Sequence, residues 1–474
     1  MMLVALFVLL VFMLGIYLGK KPKNFPPGPS WLPIIGCSLH VGKQVKLAGG
    51  RQHVMLQELS KKWNSNVVGL KLGEQLIVTV STYPLIKKFL DSEDFSARPN
   101  NFFGRLRSFG DNIGITNAEG KIFIEQKKFL LRVVAKFSIE QKVKEEMDDL
   151  VRLINLDNEN VEFGKLIKPP ILNTIWSIVA GKGFNRFDRK VQELLRLLDE
   201  RNYAFDMSGA LLSGYPWLRF VAPDYVGYNL IMKLNGAMTE LIMAAINDHR
   251  QSWSQGKNED FLYSFISRMH DGRGETNSFT EKQLIMVCID MFLGGTHTIG
   301  PTLDFLCLMM LSHPEIQDRV QKDLDDEFPH DHSIHYSDRH KVPFVEAVIN
   351  EVTRYCHVFP LGGPRRAIRK TEIEGYTIPK DTTVLFNLHT ISMSKEIWGD
   401  PEKFRPERFM NGRRRCVGEM LAKKMLFLYF SEIIRKYRIL PMADQPLLSH
   451  LPQGGIVAVP QYYKARFIPR KIIH

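Results

Sequence analysis

The residue best suited to chemistry is Cys416, which stands among three arginines in the run Gly412-Arg-Arg414-Arg-Cys416-Val-Gly418. It directly precedes residues 417–437, where apolar residues recur at helical spacing. A helix N-terminus and nearby guanidinium charges both favour a thiolate over a thiol. A single thiolate is a soft, strong metal ligand and suits haem iron better than a structural zinc site. The alternative is a free cysteine beside a basic run of the nuclear-localisation type.

A second unusual stretch lies inside the long apolar segment 281–312. Gly294 and Gly295 stand in its middle, where each costs about 1 kcal/mol of helix stability relative to alanine. Pro301 lacks an N–H and clashes with the carbonyl four residues earlier. We therefore expect a kink around residues 297–298 that opens space beside the helix. The alternative is a close packing contact that tolerates only glycine.

Composition places these residues in an ordinary globular protein. The chain has 474 residues, 45% hydrophobic and 24% charged, which excludes a disordered, collagen-like or multi-span membrane protein. Five scattered cysteines, an odd number, argue against a disulfide framework. The net charge of +12 favours anionic membranes, acidic proteins or nucleic acid. Because aromatic residues are not interleaved with the basic ones and no Gly-rich phosphate loop is present, we expect no nucleic-acid partner and no fused nucleotide-binding domain.

The N-terminus predicts a membrane anchor. Residues 1–19 carry no charge and would span about 28 Å as a helix, close to the thickness of a bilayer core. Three lysines follow within four residues, which keeps the rest of the chain in the cytosol. Residues 20–36 are basic and proline-rich and predict an extended hinge, with residues 37–474 as one cytosolic domain. A cleaved signal peptide is the alternative, but a basic n-region and a cleavage site are lacking.

The elements that must position these residues are mostly helices. Apolar residues at helical spacing predict helices over 191–204, 228–250, 281–312, 343–356 and 417–437. Short β-branched runs predict strands at Val67–Leu72, Leu76–Val80, Tyr376–Ile378 and Thr382–Phe386. The predicted fold class is therefore mainly α with small β-sheets.

The spacing Phe-x-x-Gly-x-Arg-x-Cys-x-Gly over residues 409–418 resembles the haem-binding signature of the cytochrome P450 superfamily at every fixed position. Glu351 and Arg354 are one helical turn apart and can pair on one face. With the Pro-Gly-Gly-Pro-Arg365 region that follows, they resemble that family's K helix and the strand after it. Arg408, in a Pro-Glu-Arg-Phe run, would complete a buried Glu–Arg–Arg network. The resemblance covers nearly the whole chain and is strongest to microsomal, membrane-anchored members.

This resemblance implies a P450 fold and a haem-thiolate monooxygenase. Such an enzyme inserts one oxygen atom from O2 into a lipophilic small molecule, for which sterols, terpenoids, fatty acids and xenobiotics fit equally. The cofactor would be haem b with Cys416 as the axial thiolate, which pushes electron density onto the iron. Electrons would come from NADPH through NADPH-cytochrome P450 reductase, with cytochrome b5 as an optional further partner. The acidic surface of the reductase would meet the basic face near Cys416, and the enzyme would lie on the endoplasmic reticulum membrane.

The resemblance also implies roles for individual residues. The oxygen groove would be formed by Gly294, Gly295, His297 and Thr298. The haem propionates would be held by Lys127, Arg132, Arg365 and Arg414, with Arg132 included for its nearness. The loop around Cys416 would include Phe409, Gly412 and Gly418. The substrate would contact Phe102, Phe103, Ile113, Leu361 and Ile456.

Three departures from the family pattern put parts of these roles in question. His297 stands where relatives have an acid, and Ile299 stands where they have a hydroxyl residue. Phe123 replaces the tryptophan whose indole N–H reaches a propionate, although Lys127 still supplies a charge. Phe409 both ends the Pro-Glu-Arg-Phe run and begins the cysteine loop, so a segment is missing between them.

Two other functions therefore remain open. One is a haem-thiolate protein without normal O2 activation, either isomerase-like or degenerate. The other is a membrane-tethered interaction protein that binds no haem. Four histidines within residues 330–340 could bind a metal, but we expect them to be solvated because no cysteine accompanies them.

Overall fold

The computed structural model describes residue 13 and residues 19–272, 277–329, 332–410, 419–443 and 449–470. The α-helices in these ranges are, in chain order, α1 to α18: Ser38–Leu47, Gln52–Lys62, Tyr83–Asp91, Phe102–Arg107, Gly120–Val134, Ile139–Leu156, Phe163–Leu166, Lys168–Ala180, Arg189–Ala204, Ala210–Gly214, Tyr228–Gln251, Phe261–Asp271, Glu281–Ser312, Pro314–Glu327, Pro343–Tyr355, Leu388–Ser392, Lys395–Trp398 and Glu419–Lys436. The strands are β1 to β8: Val67–Leu72, Gln75–Val80, Leu361–Arg366, Thr371–Ile373, Tyr376–Ile378, Thr383–Asn387, Tyr437–Pro441 and Ala465–Pro469.

The prediction of a mainly helical fold with small sheets is confirmed. Each helix predicted from periodicity is present within a few residues of its expected ends, and so is each predicted strand. The β-branched pattern did not predict β3, β4, β7 and β8, although the family resemblance implied the strand β3 after Arg354. These strands are short, and β3 contains Gly-Gly-Pro, which are residues that disfavour strands.

Eight strands form three small sheets. The largest has the order β1-β2-β6-β3, in which β2 and β6 are parallel and the outer pairs antiparallel. The pair β4–β5 and the pair β7–β8 are both antiparallel. The parallel pair β2–β6 joins the early β1–β2 hairpin to a strand from the late part of the chain. One sheet therefore contains residues that are far apart in sequence.

The helix α13 runs through the centre of the molecule. Its N-cap Thr280 accepts a hydrogen bond from the Gln283 backbone N–H at 3.2 Å, and its end precedes Pro314. Its first half packs in an apolar cluster with α8, α9, α11 and α12, and its second half packs in another with α6, α15 and α18. The helix is continuous past both glycines and Pro301. Packing of both halves of α13 against neighbouring helices therefore outweighs the helix-breaking tendency of these residues.

The predicted hinge at residues 20–36 is docked on the protein, which differs from the free spacer expected. Pro27 O accepts a hydrogen bond from Gly69 N at 2.8 Å, and Phe25 is buried beside Trp31. A side chain at Gly28 would collide with the backbone of Gly69 in β1. The segment is extended, as its prolines require, but its last part is a component of the folded domain.

Within the described ranges, α13 is the one helix long and apolar enough to cross a bilayer, and 72% of its apolar window is buried inside the protein. This burial is typical of a core helix. Apart from residues 13 and 19, the predicted anchor lies outside the described residues, and it stays a prediction. The four described cysteines are buried and have free thiols.

Candidate active site

The middle of α13 has one open face and one packed face. Gly294 is exposed although its helix is otherwise buried, and a Cβ there would meet no atom within 4 Å. A Cβ on Gly295 would instead collide with Ile175 of α8. The Thr298 hydroxyl donates to Gly294 O at 2.7 Å, so its oxygen lies next to the open face. Of the two explanations given above, open space beside the helix applies to Gly294, and a close packing contact that tolerates only glycine applies to Gly295.

His297 is turned toward α9. Its Nε2 lies 3.1 Å from Leu198 O, so this nitrogen carries the proton and donates it to the carbonyl. Burial, helped by the nearby charges of Arg201 and Lys168, lowers the pKa of His297 to about 3. The ring is therefore neutral at cellular pH. It lines a cavity of about 240 Å³ together with Thr296 and Asp304.

Two arginines that lie close to each other have no carboxylate partner among the described residues. Arg98 donates to Pro364 O at 3.0 Å, and Arg365 donates to Ser96 O at 3.2 Å. Burial lowers the pKa of Arg98 to about 10, with Arg365 adding repulsion, and burial also lowers the pKa of Arg365. The negative charge of Asp290, which lies one turn before Gly294 in α13, acts on Arg98 in the opposite direction and favours its charged form. Arg98 therefore lies within electrostatic range of α13.

The two cations predicted on α5 do not share a face. Lys127 is partly buried, and its Nζ lies 5.6 Å from the centroid of the Phe123 ring. Arg132 is exposed. Five residues separate Lys127 from Arg132, which turns their side chains about 140° apart on a helix. Nearness in sequence therefore does not bring Arg132 to the side of α5 that Lys127 occupies.

Glu351, Arg354 and Arg408 lie together in a buried network. Arg354 donates to both Glu351 carboxylate oxygens at 2.7 Å, and Arg408 Nε donates to Glu351 Oε1 at 3.2 Å. The backbone N–H of Arg405 donates to the same oxygen at 2.8 Å. The arginines also bind backbone carbonyls between Ser392 and Lys403. The network therefore joins α15 to the loops before and after α17.

Phe409 lies at the end of this region, where its ring packs against Trp398 with centroids 5.4 Å apart. The remaining residues of the predicted cysteine loop, Gly412, Arg414, Cys416 and Gly418, lie outside the described residues. Described helix α18 begins at Glu419, three residues after Cys416 in sequence, and it packs against α13.

The five predicted substrate-contacting residues are divided among different clusters. Phe102, Phe103 and Ile456 pack around one apolar cluster with Phe205. Ile113 packs against the cluster that surrounds the first half of α13. Leu361 is buried in the core beneath the large sheet, so it does not share a surface with the other four. Leu361 is the first residue of β3, and its place in the sheet accounts for this burial.

Two of the described histidines in residues 330–340 make ordinary polar contacts, and His330 lies outside the described residues. His332 lies 3.0 Å from Asp338, and His335 lies 2.8 Å from Glu140. Among the described residues, no group of three or more histidines, cysteines, aspartates or glutamates could hold a metal ion.

These residues fit a cofactor that carries two carboxylates. Arg98 and Arg365 are partly buried, and among the described residues their side chains bind only carbonyl oxygens, so their guanidinium charge is uncompensated and would be stabilised by carboxylates. The open face at Gly294 leaves room beside α13. The sequence analysis missed Arg98, because a single arginine before Pro99 follows no periodic pattern and acquires its environment from a strand far along the chain.

The structure has a long core helix with an open face at Gly294, and two arginines have no carboxylate partner among the described residues. These features are typical of a helical protein that encloses an anionic cofactor. A model of the family described as cytochrome P450 matches residues 26–467. The probable cytochrome P450 305a1 of Drosophila melanogaster is 33% identical over 488 aligned positions, with 95% of each chain covered. Cytochrome P450 2J5 of Mus musculus is 32% identical over 492 positions, covering 98% of this chain and 95% of the relative. Farnesoate epoxidase of Bombyx mori is 28% identical over 492 positions, with 98% of each chain covered.

The chain belongs to the cytochrome P450 family. It is accordingly a P450 monooxygenase, with haem held through a cysteine thiolate and electrons supplied by a reductase. All three alignments span more positions than the 474 residues of this chain, so the relatives carry residues that have no counterpart here. This is consistent with the missing segment that the double use of Phe409 predicts.

Proposed function

We propose that this P450 oxidises a lipophilic small molecule at a haem whose iron is bound by Cys416. Haem, when bound, supplies the activation of O2 and the insertion of one oxygen atom into the substrate. The observation that carries the proposal is the pair of partly buried arginines, Arg98 and Arg365, which have no carboxylate partner among the described residues. We assign the haem propionates to these two arginines and to Lys127.

The other residues of the site leave room beside α13, place a hydroxyl group there and hold the loops near Cys416 in sequence. Gly294 leaves room beside α13, because any side chain there would occupy the open face. Thr298 places its hydroxyl oxygen at that face, where it can accept a proton from water and pass one on. The Glu351 network acts at a distance by holding the loops that precede Cys416 in sequence.

For the substrate class, we propose an extended apolar molecule. Phe102, Phe103 and Ile456 supply an aromatic and aliphatic surface that matches such a molecule. The farnesoate epoxidase relative, which aligns over almost the whole chain, supports an unsaturated terpenoid or fatty acid over a rigid sterol.

For location, we propose the cytosolic face of the endoplasmic reticulum membrane, with NADPH-cytochrome P450 reductase and cytochrome b5 as partners. Residues 216–225 expose Trp217, Phe220, Val221 and Tyr225, and an apolar patch of this kind favours a membrane surface. The Tyr215 hydroxyl lies 3.0 Å from Ile35 O and 2.7 Å from Ser38 Oγ. The patch therefore adjoins the start of the domain, from which the predicted anchor extends.

The decisive experiment is to measure haem content and the reduced-CO difference spectrum of the full chain and of Cys416→Ser. We expect the wild type to give a thiolate-type Soret band and Cys416→Ser to lose it, because a neutral hydroxyl donates far less charge to iron. Cys37→Ser is the matched control, since a serine can keep the hydrogen bond that the Cys37 thiol donates to Lys71 O at 3.2 Å.

Three results would contradict the proposal. A thiolate-type band that survives in Cys416→Ser would show that another residue binds iron. No haem uptake by the wild type, with the chain still folded, would support the membrane-tethered interaction protein. Haem binding without product formation from any lipophilic substrate would support the protein without normal O2 activation.

A further inference from the structure

Arg201 is a buried cation without a partner. It lies in the last turn of α9, and only 5% of its surface is exposed. Within the part of the chain that the structure describes, its guanidinium makes no hydrogen bond and no ion pair. Burial, together with the like charge of Arg107, lowers the pKa of Arg201 to about 9. An arginine in this condition is costly unless something outside the described protein residues compensates it.

The surroundings of Arg201 are the aromatic cluster already assigned to the substrate. Its guanidinium carbon lies 5.8 Å from the centroid of the Phe103 ring, which stacks on Phe205 at 4.5 Å. The next residue, Asn202, donates to Val457 O at 3.0 Å and accepts from Val457 N at 2.9 Å. This backbone clamp holds the end of α9 beside Ile456, so the charge of Arg201 lies at the edge of an apolar surface.

Asp290, the carboxylate whose charge acts on Arg201, already has other partners. Asp290 forms an ion pair with Arg107 and accepts hydrogen bonds from the backbone N–H groups of Ile115 at 2.7 Å and Thr116 at 2.8 Å. Asp290 therefore balances one arginine and leaves Arg201 uncompensated. A positive charge facing an apolar cluster is the arrangement that recognises an apolar molecule with an anionic end.

We propose that Arg201 binds the carboxylate of an extended apolar acid, whose chain contacts Phe103, Phe205 and Ile456. The planar guanidinium matches a carboxylate through two parallel hydrogen bonds, which a neutral ester cannot reproduce. This inference rests on the proposed oxidation of a lipophilic substrate and names its class. It also assigns to Arg201 a part in selecting acids over esters of the same chain length.

The test compares dodecanoic acid with methyl dodecanoate by equilibrium dialysis against the full-length holoenzyme. We expect wild type to bind the acid about 10- to 100-fold more tightly than the ester, the range for hydrogen bonds to a charged group. Arg201→Gln removes this preference, and Arg201→Lys keeps part of it because the charge remains. Arg189→Gln is the matched control, since Arg189 is exposed at the other end of the same helix.

Thermal unfolding gives a second readout that does not depend on turnover. Without ligand, Arg201→Gln should be at least as stable as wild type, because the substitution removes an uncompensated buried charge. Dodecanoic acid should raise the Tm of wild type and leave that of Arg201→Gln unchanged.

Three results would overturn the inference. Equal affinity of wild type for acid and ester would show that Arg201 does not read the carboxylate. A clear loss of ligand-free stability in Arg201→Gln would show that Arg201 has a structural partner. Loss of haem from Arg201→Gln alone would assign the arginine to a haem carboxylate. Absence of haem from the wild type would instead contradict the proposed function, while the unfolding measurement would still report on binding of the acid.

Discussion

At the scale of single residues, Thr298 and His297 are neighbours in sequence with different surroundings. The Thr298 hydroxyl lies at the open face of α13, whereas the ring of His297 donates to Leu198 O on the α9 side. His297 is neutral at cellular pH because burial keeps its pKa at about 3. The residue that stands in place of the family's acid therefore holds its proton in a structural hydrogen bond.

This arrangement predicts poor coupling of NADPH consumption to product. We expect His297→Glu to raise the product formed per NADPH several-fold, because a carboxylate beside Thr298 can relay protons to the open face. His297→Ala should leave the product yield unchanged, because the imidazole proton is held by Leu198 O, and it should remove that hydrogen bond, which contributes about 1 kcal/mol of stability. Product and peroxide, measured together with the reductase present, check both variants. Equal coupling in all three proteins would contradict the expected effect of the carboxylate.

At the scale of elements, three histidines from different segments meet in the core. His53 of α2, His357 after α15 and His389 of α16 have ring centroids 4.3 to 6.3 Å apart. Burial, with repulsion among the rings, lowers the pKa of His53 to about 3 and places that of His357 well below its usual value. Burial and the charge of Arg51 lower the pKa of His389 to about 4. All three are therefore neutral in the folded protein.

The histidine cluster predicts a loss of stability in mild acid. The unfolded chain takes up protons as the pH falls below about 6.5, but the folded chain does not. Stability is therefore complete above pH 6.5 and falls between pH 6.5 and about 4, by about 2 kcal/mol at pH 5 for one such histidine. Asp304, whose pKa burial raises to about 6, acts in the opposite direction. Urea unfolding at pH 7 and pH 5 measures the difference.

A matched variant tests whether the cluster causes this effect. His357 has a positive φ of 50°, a conformation that asparagine tolerates. His357→Asn should therefore fold and should lose less stability between pH 7 and pH 5 than wild type. The same loss in both proteins would show that other groups control the acid sensitivity.

The Glu351 network predicts a large structural effect. Glu351→Gln should lower the free energy of unfolding by about 3 to 5 kcal/mol, because Arg354 would be buried without a counter-charge, whereas Arg408 keeps its pair with Asp400. Glu346→Gln is the control on the same helix, since Glu346 forms a longer, partly exposed pair with Arg339 at 3.7 Å. Urea unfolding at pH 7 compares the two. A similar small loss in both variants would contradict a structural role for the network.

At the scale of the whole molecule, the proposed membrane attachment combines the exposed apolar patch at residues 216–225 with the predicted anchor. Deleting residues 1–19 should release only part of the protein from membranes, because the patch and the basic residues near it still adsorb. Adding Trp217→Ser and Phe220→Ser to the deletion should release most of the remainder. Sedimentation of microsomes measures both. Full release by the deletion alone would show that the patch does not bind lipid.

The sequence by itself determined the features that depend on near neighbours. Helical periodicity predicted α13, α15 and most of α18, and a spacing of three residues predicted the Glu351–Arg354 pair. The Cys416 signature identified the family for the same reason, since its residues are contiguous. These features were predictable because the side chains involved are one or two turns, or one loop, apart.

Only the tertiary structure decided which distant residues meet. Arg98 contacts Pro364 across 266 residues of sequence, and Arg408 reaches Glu351 across 57. The burial of Arg201 without a partner depends on α4, α9 and α13 together, and the docking of residues 20–36 depends on a glycine in β1. No local pattern encodes these contacts, because they arise when packing brings separate elements together and removes water from the charges between them.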